Sequence, residues 1–93
     1  MDKEIKALAE QIQSLNKRAF IVYQPEVDTV INAKIKDENT IQHLLEGLLD
    51  FAYDAQMLGL YKKLCRHYWT INPLATANYV NLYREMWDSE KEQ

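Results

Sequence analysis

Apolar residues near the start of the chain fall at Ile5, Leu8, Ala9, Ile12 and Leu15, the i, i+3, i+4, i+7 spacing of a one-sided helix. With Asp2 available as an N-cap, this pattern predicts a first helix over about 2–17. The run Phe20-Ile21-Val22-Tyr23 has the composition of a strand, but no second candidate strand exists to pair with it, so it reads as a helix end or a buried connection. Pro25 suits the first turn of a second helix over about 25–36, whose stripe is Val27, Val30, Ile31 and Ile35.

Lys36-Asp37-Glu38-Asn39 is a polar break, with Asn39 and Gln42 spaced as a capping box and Asp37 as the competing cap. A third helix over about 39–53 carries the cleanest stripe: Ile41, Leu44, Leu45, Leu48, Leu49 and Ala52. A fourth, over about 55–69, aligns Met57, Leu58, Tyr61, Leu64, Cys65 and Tyr68. On one uninterrupted helix the two stripes would lie roughly 180° apart. The chain is therefore expected to turn between Tyr53 and Gln56 with Asp54 as cap, unless one long helix bridges two bodies of a swapped dimer. Asn72 before Pro73 marks the start of a fifth helix over about 73–88. The expected fold is an all-α, compact bundle of about five short helices in a single domain, residues 1–93, with Ile12, Val30, Leu45, Leu48, Leu64 and Leu82 in the core and helices antiparallel where connections are short.

Composition narrows the class without changing the picture. Of the 93 residues, 47% are hydrophobic and 27% charged, and two glycines and two prolines leave little turn chemistry for an all-β domain. The net charge of -3 disfavours generic polyphosphate binding. One cysteine cannot form an internal disulfide, which points to a reducing, cytoplasmic location. No signal peptide or lipidation signal is expected at the start, and the longest uncharged stretch, His67 to Tyr83, holds Pro73 and three asparagines and makes a poor membrane span.

Candidate chemistry is sparse. Lys62, Lys63, Arg66 and His67 share one face of the fourth helix and its aromatics take the other; with Arg84 these cations are the candidate phosphate contacts of an accessory nucleic-acid-binding protein. Cys65 and His67, two residues apart, point about 200° away from each other and cannot work as nucleophile and base. His43, Glu46, Asp50 and Asp54 share a polar face, but one helix does not close a coordination sphere, so no metal or other cofactor is expected. With no glycine-rich phosphate loop and no nucleophile elbow, the expected protein is not an enzyme. It reads instead as a small protein-protein interaction or adaptor module that self-associates. Its expected surface is the fifth helix, where Tyr79, Tyr83 and Trp87 form an aromatic ridge that Val80 widens, suited to a homodimer. Gly47 and Gly59 lie inside helices, where each is either tolerated on an exposed face or lets another element approach closely.

Overall fold

In a computed structural model, residues 2–88 are described and form four helices: α1 Asp2–Asn32, α2 Glu38–Leu49, α3 Ala55–Trp69 and α4 Pro73–Trp87. Three of the four begin where short polar side chains satisfy otherwise unpaired backbone N–H groups. Asp37 accepts from the Thr40 N–H at 3.1 Å, Asp54 from those of Gln56 and Met57 at 3.1 and 3.2 Å, and Asn72 from that of Ala75 at 3.0 Å. Asp37 thus outcompetes Asn39 as the cap of α2. The turn at Asp54 separates α2 from α3, so each apolar stripe reaches the same interior despite the phase reversal between them.

The first two expected helices, 2–17 and 25–36, are one helix of 31 residues, and the Phe20–Tyr23 run is its middle. Pro25 sits inside α1 rather than at a helix start. An interior proline removes one backbone hydrogen bond at a cost of about 3 kcal/mol. Offsetting that cost, the continuous helix lays Ala19, Val27 and Val30 into the core together, with Phe20, Tyr23 and Ile31 packed against it. α1 ends at Lys34, whose φ of 53° places it in the left-handed region. Ile35 N–H then donates to the Val30 carbonyl at 2.9 Å and Lys34 N–H to that of Ile31 at 3.2 Å, the paired bonds of a Schellman ending.

α3 lies at the centre, packed against α1, α2 and α4. Val27, Ile41, Leu45, Leu48, Met57, Leu64 and Tyr68 are fully buried. Two expected core residues are corrected: Ile12 is 40% and Leu82 44% exposed, because α1 runs past the other helices and α4 buries a different face. The expected Val30, Leu45, Leu48 and Leu64 are buried, and Leu60, off the expected stripe of α3, joins them.

A hydrogen-bonded hub joins three elements at one end of this core. Glu38 Oε1 accepts from the Tyr68 hydroxyl at 2.5 Å and from Asn72 Nδ2 at 2.8 Å, while Gln42 Nε2 donates to the Tyr68 oxygen at 2.7 Å. The Tyr68 and Asn72 hydrogen bonds hold the Glu38 carboxyl below its ordinary range, and the Thr40 hydroxyl and N–H do the same for Asp37. Both carboxylates therefore bind protons more readily in the unfolded chain. The stability they contribute is present above about pH 4.5 and is lost as pH falls through the depressed folded values. Thermal midpoints followed from neutral pH down to about pH 3 should decline at the acid end, and Glu38→Gln should flatten part of that decline.

The two glycines have different reasons for being there. A Cβ on Gly47 would overlap the Tyr23 hydroxyl, so this glycine makes room for the Tyr23 side chain of α1. Around Gly59 nothing lies within 4 Å. Gly59→Ala should accordingly stabilise the fold by about 0.5 to 1 kcal/mol through helix propensity, and Gly47→Ala should lose that gain to the displaced Tyr23 ring, both measured by urea denaturation.

Candidate functional site

The contacts of α4 with the rest of the chain decide what its aromatic ridge can do. Tyr79 lies against Tyr68 with ring centroids 6.4 Å apart and donates to Glu46 Oε2 at 3.0 Å. Tyr83 lies 6.2 Å from the Tyr61 ring, and the Tyr61 hydroxyl donates to the Tyr79 carbonyl at 2.6 Å. Trp87 packs on Tyr53 at 5.0 Å and donates its indole N–H to the Leu49 carbonyl at 2.8 Å. The ridge thus fastens α4 to α2 and α3. Burial pushes the Tyr61 and Tyr68 hydroxyls above the usual phenol range and that of Tyr79 to about 12, so all three stay protonated donors at neutral pH.

Between α3 and α4 a groove of about 350 Å³ remains, floored by Leu58, Tyr61, Cys65, Val80 and Tyr83. Lys62, Arg66 and Arg84 line it as well. The fold thus gathers three of the four expected phosphate contacts around two of the four expected partner-surface residues, a convergence across two helices that no spacing within either helix announces. Lys63 is separated from them: it pairs with Asp28 of α1 at 2.9 Å, and His67 donates to the Ile35 carbonyl at 2.8 Å. The four residues expected on one basic face of α3 are therefore divided between the groove and the opposite side, where Asp28 of α1 and Ile35 of the α1–α2 connection take Lys63 and His67. Burial pushes the Cys65 thiol up to about 11, so the thiolate a nucleophile requires is scarce at neutral pH.

A wider hollow of about 760 Å³ lies between the C-terminal half of α1 and α2, bordered by Pro25, Glu26, Thr29, Ile35, His43 and Leu44. Its lining brings together one carboxylate and one imidazole, without a lysine, arginine or cysteine. The polar face of α2 does not form a ligand set: Glu46 receives the Tyr79 hydroxyl, Asp54 caps α3, and no group of three or more potential metal ligands occurs among the described residues.

A further apolar surface lies on the part of α1 that extends past the other helices. Residues 2–15 are all exposed, with Ile5 66%, Leu8 58% and Leu15 56% accessible beside Ile12. At 1.5 Å per residue α1 is about 46 Å long, close to the 49 Å longest dimension of the molecule, while α2 to α4 span roughly 18 to 22 Å each. Contact with the body begins at Asn16, which is buried and accepts from the Tyr53 hydroxyl at 2.9 Å. The stripe itself was legible in the sequence; its exposure was not, because Pro25 concealed the length of the helix. None of the described helices is long and apolar enough to cross a membrane. Comparison of the chain with protein-family models, with curated proteins and with solved structures finds no match.

Proposed function

We propose that this protein is a non-enzymatic protein-protein interaction module. The observation that carries the reading is the projecting arm of α1, where Ile5, Leu8, Ile12 and Leu15 form one apolar stripe that the other described residues leave exposed. Such a stripe is stabilised only when something else removes it from water, and a partner helix does this by filling the i, i+3, i+7 positions. The lone buried Cys65 suits a reducing compartment, in keeping with a cytoplasmic module.

The test compares what is recovered with the tagged wild-type chain and with a Leu8→Glu, Ile12→Lys variant. The reading expects a bound protein, either another copy or a different chain, that is retained by the wild type and lost by the variant while the thermal midpoint of the body is kept. Equal recovery by both would refute it.

A second reading, an accessory nucleic-acid-binding protein, draws on the gathering of Lys62, Arg66 and Arg84 around the α3–α4 groove. Against it stand the net charge of -3 and the pairing of Lys63 with Asp28. Retention of DNA or RNA that falls steeply with salt, and is abolished by Lys62→Glu with Arg66→Glu, would favour it over the first.

A further inference from the structure

The spacing 5, 8, 12, 15 is the 3-4-3 alternation of a heptad seam, with isoleucine at both a positions and leucine at both d positions. We propose that the arm pairs with the arm of a second copy, antiparallel about a twofold axis near residue 10. This rests on the reading of the arm as an interaction surface and names its occupant. In that register Ile5 of one copy meets Leu15 of the other, and Leu8 meets Ile12, so each layer joins one isoleucine and one leucine.

Two observations select this arrangement. The first is charge. The flanking g positions are Glu4, Gln11 and Arg18, and the antiparallel register sets Glu4 against Arg18 of the second copy twice over, with Gln11 against Gln11 between them. The other flank sets Ala9 against Ala9 and ends at Asn16, which the chain's own body already covers, so no like charges meet. A parallel pairing would instead face Glu4 with Ala9 and Arg18 with Tyr23, leaving both charges unmatched.

The second is the placement of the body. Asn16, Ala19, Phe20, Tyr23, Val27 and Val30, which meet the rest of the body, lie on nearly the same side of α1 as the arm's stripe, turned from it by only about 50°. Parallel arms would bring both bodies to the same end, on the faces turned toward each other, where they collide. Antiparallel arms put the bodies at opposite ends, where they do not meet.

A lipid surface suits the arm less well. Lys3, Lys6, Lys17 and Arg18 are nearly balanced by Asp2, Glu4 and Glu10, without the cationic excess that interfacial helices use. Two heptads bury roughly 1,000 Å² in total, at the low end for specific association, so the dimer should have a Kd in the micromolar range.

Sedimentation equilibrium at about 200 µM chain and low salt is expected to give a mass near twice the 11.0 kDa of one chain. Glu4→Arg and Arg18→Glu, tested separately, should each weaken association about tenfold, since each sets like charges together at two places. An equimolar mixture of the two variants should recover the dimer, because one then presents two cations on that flank and the other two carboxylates. Circular dichroism of each variant checks that the helices are retained. A wild-type mass of one chain at this concentration, or a dimer indifferent to both charge reversals, would overturn the proposal. If the wild type is monomeric yet loses a different bound protein on Ile12→Lys, the arm remains an interaction surface and only the second copy is excluded as its occupant.

Discussion

Leu48→Ala should cost about 3 to 5 kcal/mol in urea denaturation. Leu48 is fully buried on the face of α2 that packs into the core, among Ile41, Leu45 and Leu64, which are fully buried as well. Truncation there loses the transfer free energy of the removed carbons and leaves a cavity that the surrounding helices close only in part. Leu82→Ala supplies the control, since 44% of that residue is already in water and its loss should stay under about 1 kcal/mol. Similar costs at the two positions would mean that α4 packs through a different face from the one described.

Trp87→Ala should cost about 2 to 3 kcal/mol while leaving the mass in solution unchanged. The indole contributes its contact with Tyr53 and its donated bond to the Leu49 carbonyl at the end of α2, which also accepts from the Ala52 N–H. Because the ring is 37% exposed, the loss falls short of that for a fully buried tryptophan. The unchanged mass is the informative half. A dimer built on the ridge of Tyr79, Tyr83 and Trp87 would come apart with the substitution, whereas one built on the arm of α1 would not. A fall in mass with little loss of stability would return the association surface to α4.

The sequence by itself determined the helical class, the polar starts at Asp54 and Asn72, and most of the buried face of α2 and α3, while at the start of α2 it left Asp37 as the competitor of Asn39. These are legible because they depend on residues three or four apart, within reach of each other in any helix whatever its surroundings. Pro25 shows where such reasoning ends. Locally it reads as a start, and only the burial of Ala19, Val27 and Val30 against other helices makes it worth carrying inside one long helix. Periodicity likewise revealed that Ile5, Leu8, Ile12 and Leu15 share a stripe and that Tyr79, Tyr83 and Trp87 share a ridge. Which of the two meets the chain's own body, and which stays exposed, depends on how far each helix extends beside its neighbours. Only the tertiary structure decided that, packing the ridge against α2, α3 and the turn between them and leaving the stripe exposed among the described residues, because an apolar face records the need for cover and says nothing of what supplies it.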